Sequence, residues 1–148
     1  RERTALNFLS HLSGVSTLTR KFVDRVKDYN AAILDTRKTI PGLRLLEKYA
    51  VRVGGAENHR FGLYDQILIK DNHLKILQRL GPDFIYRAIK AFSNTDKKIE
   101  IEVQTVEQAQ EAVETGADIL LLDNMTIADI KDIVRQFKDR VILEVSGG

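Results

Sequence analysis

At 148 residues the chain is long enough for one domain, burying roughly 68–70% of the surface its unfolded form would expose. Hydrophobic residues at 43% and charged residues at 30% exclude a disordered chain, and 23 interspersed cations against 21 anions, net +2, give no footprint for nucleic acid or an anionic membrane. The lack of cysteine excludes a disulfide framework and a thiolate metal site, which makes the reducing cytoplasm the expected compartment; no apolar run reaches the ~20 residues that span a bilayer.

The chain opens at Arg1 inside a helical pattern and stops at Gly147-Gly148 directly after an apolar strand, so both ends read as cut. Ala5, Phe8, Leu9 and Leu12 share one face of a helix over Thr4 to Leu12. A second helix is expected from Ser16 to Tyr29, with Leu18, Phe22, Val23 and Val26 inward. Ala31 to Thr36 is a short apolar run, as a strand covered on both faces would be, and it runs straight into Asp35-Thr36-Arg37-Lys38. Pro41 suits the first position of a helix carrying Leu45, Leu46 and Tyr49 on its apolar side.

The alternation then repeats. Ile67-Leu68-Ile69 is a strand ending in Lys70-Asp71-Asn72, and Pro82 to Phe92 is a helix with Ile85, Ala88, Ile89 and Phe92 on one stripe. Lys98 to Val103 is a strand. Thr105 and Gln108 have capping-box spacing for the next helix, and Gly116 is its terminator. Asp118 to Leu122 is a strand ending in Asp123-Asn124. Thr126 and Asp129 cap a helix whose core face is Ile127, Ile130, Ile133, Val134 and Phe137; Arg140 to Val145 is the last strand. Strands alternating with helices over short connections predict an α/β fold: two helices, then a partial, open, TIM-like βα barrel of about five parallel strands with flanking helices.

In such folds ligands bind at the carboxyl ends of the strands. This chain places there Asp35, Thr36, Arg37 and Lys38, then Lys70, Asp71 and Asn72, then Glu102, Asp123, and Glu144 with Ser146 and Gly147. Any one of these could be an ordinary solvated residue. As a set, charges embedded in apolar strands need a polar cavity or a neutralising partner, which fits an anionic, metal-assisted substrate. Glu102, Asp123 and Glu144 recur at intervals of 21, which would place carboxylates at equivalent heights on neighbouring strands. Their oxygens suit Mg²⁺, although barrel periodicity alone produces the same spacing.

Gly54-Gly55 is either a turn or an anion cradle of exposed amides, and His59-Arg60 offers donors beside it. His11 and His73 lack zinc-ligand spacing. The absence of GxxxxGK[ST], GxGxxG and GxSxG weighs against P-loop, Rossmann and serine-hydrolase chemistry.

Taken in order, ERTALNFLSHLSGV, ILDTRKTIPGLRLLEKYAVRVGG, NHRFGLYDQILIKDNH, IEVQ, ILLLDNM and LEVSGG closely resemble the quinolinate phosphoribosyltransferase family. The resemblance implies transfer of phosphoribose from phosphoribosyl pyrophosphate to the ring nitrogen of quinolinate, with Mg²⁺, releasing pyrophosphate and carbon dioxide. It implies a homodimer or higher oligomer in which Arg3 reaches the neighbouring subunit's site. It implies substrate contacts from Arg37, Lys38, His59, Arg60 and Lys70, acids near ribose and metal at Glu102 and Asp123, and a phosphate-binding end at Ser146 and Gly147. Lys38, Lys70, Glu102 and Asp123 are the implied catalytic set. Residues 1–148 then read as a partial catalytic barrel, without the family's amino-terminal domain and last barrel strands; Ala56 stands where a third glycine is common. Two other readings stand beside this: a non-catalytic barrel fragment that only folds or self-associates, and a related phosphoribosyltransferase for another aromatic acid.

Overall fold

A computed structural model describes residues 1–147, in two compact units, Arg1–Leu63 and a second from Tyr64 onward. The first unit pairs helix α1 (Glu2–Val26) with helix α2 (Arg44–Val53). The two helices expected up to Tyr29 are one. Gly14 costs a helix interior only ~1 kcal/mol, and the apolar series Leu12, Val15, Phe22, Val26 keeps its phase across it. The half-buried stripe of α1 is Leu12, Val15, Ser16, Thr19, Val23 and Val26; its first turns, including Ala5, Phe8 and Leu9, are exposed.

Ala31 to Thr36 does not form the expected strand. One parallel bridge, Leu34 to Glu57, is all that pairs there, with Asp35 N donating to Glu57 O and Glu57 N to Ile33 O. The partner segment is too short to carry a ladder, since α2 ends just before it. Pro41 opens a turn, and α2 begins three residues later. The inward face of α2 also differs: Lys48 and Ala50 are buried, while Leu45 and Tyr49 are largely exposed.

Among its described residues the second unit holds four strands, β1 (Ile67–Ile69), β2 (Ile99–Val103), β3 (Ile119–Asp123) and β4 (Ile142–Ser146), all parallel in the order β1-β2-β3-β4. The α/β class holds, with four strands where five were expected. Helices α3 (Asp71–Gln78), α4 (Phe84–Lys90), α5 (Val106–Thr115) and α6 (Ile127–Phe137) supply the parallel crossovers. Caps set their ends: Thr105 Oγ1 accepts from Gln108 N, Gly116 closes α5 in the left-handed region, and Thr126 Oγ1 accepts from Asp129 N.

Strand alternation sorts the sheet into two faces. Ile69, Ile99, Ile101, Val103, Leu120 and Leu122 pack with Ile85, Ala88, Ile89, Ala109, Ala112, Ile133 and Phe137 from the helices. Each large member of this core contributes roughly 1.5–3 kcal/mol by burial. Ile127, expected in the core, is exposed instead, and Val134 and Phe92 are also outside it. Positions Glu100, Glu102, Leu121, Asp123 and Glu144 alternate to the opposite face, so one side of the sheet is apolar and the other carries carboxylates.

Candidate active site

At the carboxyl edge of the sheet, β1 ends in Lys70, which precedes α3 and is exposed. Its amide donates to His73 Nδ1 at 3.1 Å, so His73 serves as a helix cap. The next residue, Asp71, pairs with Lys75 one turn later; that hydrogen bond holds the Asp71 carboxyl below its ordinary range and raises the Lys75 ammonium.

On β2, Glu102 is half-buried, and its carboxyl pKa is raised. Burial is the first cause, followed by the charges of Asp123 and Asp71 and a hydrogen bond shared with Asp123. The Asp71 amide donates to Glu102 and partly offsets the rise. Two carboxylates close enough to share a proton make a place where a cation is favourable. The heights are not those the spacing of 21 implied. Glu102 and Glu144 both lie level with Leu121, whereas Asp123 lies level with Ser146, two residues further along. The offset arises because β3 reaches the level of Glu102 two residues sooner than equal spacing assumes, at Leu121, and the longer reach of glutamate closes the gap.

At the end of β3 and β4, Asn124 adopts φ 53°, donates its amide to Ser146 O at 3.0 Å and donates Nδ2 to Asp123 Oδ2 at 2.9 Å. Gly147 sits so close that an added Cβ would overlap the Asn124 carboxamide, and its φ of 105° also favours glycine. Ser146 and Gly147 are thereby fixed beside Asp123, with Ser146 exposed.

In the first unit, the Asp35 carboxylate accepts from Lys48 Nζ at 2.5 Å, Asn58 Nδ2 at 2.6 Å and the His59 amide at 2.9 Å. Lys48 Nζ also donates to His59 O at 2.9 Å, and the Lys48 and Asp35 side chains are only 4% and 8% exposed. This node joins the segment leading into Arg37-Lys38 to the segment carrying His59-Arg60. Arg37 is half-buried, with Nε inaccessible to solvent and without a hydrogen bond, and Lys38 is exposed. Arg44 braces the stretch, donating to Thr39 Oγ1, Arg37 O and Phe61 O. Glu47 accepts from Ile40 N and pairs with His11 at 2.9 Å. Arg3 is exposed in the first turn of α1.

The anion cradle considered for Gly54-Gly55 is not there. Their amides donate to Ala50 O and Arg52 O, closing α2. Lys48 and Glu100 escaped the sequence reading. Glu100, fully buried, accepts from Gln66 Nε2 at 2.7 Å, and the period-two pattern Glu100-Ile101-Glu102 could have found it. Nothing local marks Lys48, whose partner Asp35 lies 13 residues away.

A parallel βα sheet with helices packed on one face and a carboxylate pair at its strand ends defines a barrel-type domain with an ionic site. The profile of the quinolinate phosphoribosyl transferase C-terminal domain matches residues 15–148, and the chain belongs to that family. It is 44% identical over 147 residues to a Bacillus subtilis protein named probable nicotinate-nucleotide pyrophosphorylase (carboxylating), covering 99% of this chain and 50% of that one. A Mycobacterium leprae nicotinate-nucleotide pyrophosphorylase (carboxylating) is 43% identical over 150 residues, with 99% and 52% covered. The crystal structure of NadC from Streptococcus pyogenes matches with a TM-score of 0.87 at 44% identity, over 99% of this chain and 51% of that one. The chain thus spans about half the length of the relatives it matches.

Proposed function

We propose that the protein to which this chain belongs transfers phosphoribose from phosphoribosyl pyrophosphate to quinolinate, yielding nicotinate mononucleotide, pyrophosphate and carbon dioxide in NAD biosynthesis. The observation that carries this reading is the Glu102–Asp123 pair, a half-buried dicarboxylate at the strand ends of a domain of this family. Breaking the bond from ribose C1 to pyrophosphate builds positive charge on the sugar, and two fixed carboxylates offset it. The ring nitrogen of quinolinate forms the new bond with its lone pair. When the adjacent carboxylate departs as carbon dioxide, the electron pair of the broken bond stays on the ring carbon, where the neighbouring pyridinium charge stabilises it until it takes a proton from water.

Arg37, Lys38, His59 and Arg60 are the binding set for the two quinolinate carboxylates and for phosphate, because a planar guanidinium grips a carboxylate through two hydrogen bonds. Lys70 offsets charge on the departing pyrophosphate, and Ser146 with Gly147 meets the ribose phosphate. Glu102 and Asp123 offer the hard oxygens that Mg²⁺ takes, directly or through water, and the raised Glu102 pKa is what an unneutralised cation site would show. Mg²⁺, when bound, supplies charge neutralisation for the pyrophosphate oxygens.

In a homodimer or larger assembly, Arg3 reaches a neighbouring subunit's site; exposed Leu6, Phe8 and Leu9 beside it on α1 support a partner surface there. No helix among the described residues is long and apolar enough to cross a membrane. The cytoplasm is the proposed compartment, on the lack of cysteine.

The test is conversion of quinolinate and phosphoribosyl pyrophosphate by the full-length protein, followed by nicotinate mononucleotide formation, with and without Mg²⁺. Arg37→Ala is expected to lower kcat/KM for quinolinate on the order of 10²-fold or more, through lost carboxylate binding. Parental turnover by that variant would remove Arg37 from the site, and an inactive parent protein would remove the reaction.

A further inference from the structure

The four side chains of the proposed binding set come from two separate stretches, residues 37–38 and residues 59–60. In the first unit these stretches share one buried anchor. Asp35 is two residues before Arg37. Its carboxylate holds the His59 amide and the Asn58 side chain, while Lys48 from α2 holds the His59 carbonyl. Asn58 Nδ2 closes the ring by donating to Lys48 O at 3.0 Å. His59 is therefore gripped through both its amide and its carbonyl. The Leu34–Glu57 bridge and Arg44, which donates to Arg37 O and to Phe61 O, also tie the two segments, but the Asp35–Lys48 pair is what holds the His59 backbone at both ends.

We propose that Asp35 and Lys48 are positioning residues for the dicarboxylate substrate: their buried ion pair sets the separation of Arg37-Lys38 from His59-Arg60. This rests on the reading of those four residues given above. A buried ion pair is poor at stabilising a fold, because an apolar pair of similar volume does as well or better. Its use here is directional. An aliphatic pair would fill the same space but could not hold the His59 backbone at both ends. Neither group binds substrate itself, since Lys48 Nζ is buried and already donates to two acceptors.

The test uses the full-length protein and three variants, Lys48→Met, the double variant Asp35→Leu with Lys48→Met, and Asn58→Ala. Each is read by KM for quinolinate and for phosphoribosyl pyrophosphate, and by thermal midpoint. KM does not depend on how much of the sample is folded, so it separates positioning from lost protein. Lys48→Met is expected to raise the quinolinate KM on the order of tenfold, as displacement of binding groups by a fraction of an ångström does. The double variant is expected to regain the parental thermal midpoint yet keep the raised KM. Asn58 is exposed, so Asn58→Ala folds, and removing one donor to Asp35 is expected to raise KM about fivefold.

A parental quinolinate KM in the double variant or in Asn58→Ala would show the ion pair to be structural only. If Lys48→Met does not fold, these two variants decide. An active parent whose Arg37→Ala variant loses quinolinate binding, combined with unchanged KM in these two, overturns this inference alone. A parent that does not act on quinolinate overturns the function on which it rests.

Discussion

Glu102 is the residue where stability and function pull apart. Its folded pKa lies above the ordinary 4.5, so between those values the folded state holds more protons than the unfolded one. Stability therefore falls as pH rises through that window: the cost is absent below the ordinary value and complete above the raised one. Glu102→Gln keeps the side-chain length and removes the ionisation. The variant is expected to melt higher than the parent at about pH 8 and to match it at about pH 4, a difference read by thermal denaturation at both values. The same change removes a carboxylate from the reacting sugar, and kcat/KM is expected to fall ~10²-fold or more. A site that gains stability when its charge is deleted, and loses turnover, is one held for chemistry. Asp71 behaves oppositely. Lys75 lowers its pKa, so its contribution is present above the ordinary 3.8 and is lost as pH falls below it.

At the scale of elements, the α1–α2 pair turns on two glycines with opposite roles. A Cβ on Gly54 would lie 2.6 Å from Ser16 O and from the Thr19 Cβ, so the end of α2 rests directly on α1. Gly54→Ala is expected to cost about 1–3 kcal/mol in urea denaturation, because neither backbone nor a β-branched carbon can give way. Gly14, in mid-helix, would meet nothing within 4 Å, and Gly14→Ala is expected to stabilise by ~0.5–1 kcal/mol in the same measurement.

These elements also show what a sequence makes legible. Thr105, Thr126 and Gly116 act on their own helix ends within a few residues, so their roles could be read locally and are as expected. Strand ends at Lys70 and Asp123 were equally plain, because apolar runs stop there. Helix α3 went unread because Asp71-Asn72-His73 looked like a strand's exit rather than a helix's first turn. Ala31 to Thr36 has the composition of a strand, but strand formation needs a neighbour, and the neighbour is one residue wide. Lys48 looks like any surface lysine until Asp35 folds onto it. Which face of α2 is inside was thus decided by an ion pair, not by Leu45 and Tyr49.

For the molecule as a whole, the open sheet sets the limit. Among the described residues β1 pairs only with β2 and β4 only with β3, so both outer strands of the second unit present unpaired backbone. A βα barrel has no such edges. Free parallel edges recruit other chains, since each carries a row of unsatisfied donors and acceptors. The relatives are about twice as long, and an extension of that size is enough to supply further strands. Two outcomes are expected for the 148-residue chain expressed by itself. It self-associates as its concentration rises, read by sedimentation velocity, and it releases no pyrophosphate above background from quinolinate and phosphoribosyl pyrophosphate. Both follow from one cause, because the strands with open edges, β1 and β4, are those that lead into Lys70 and carry Ser146 of the proposed site. Turnover by the isolated chain would mean that Arg37, Lys70, Glu102 and Asp123 suffice without further strands, and a monomer at all concentrations would mean that the edges are already protected.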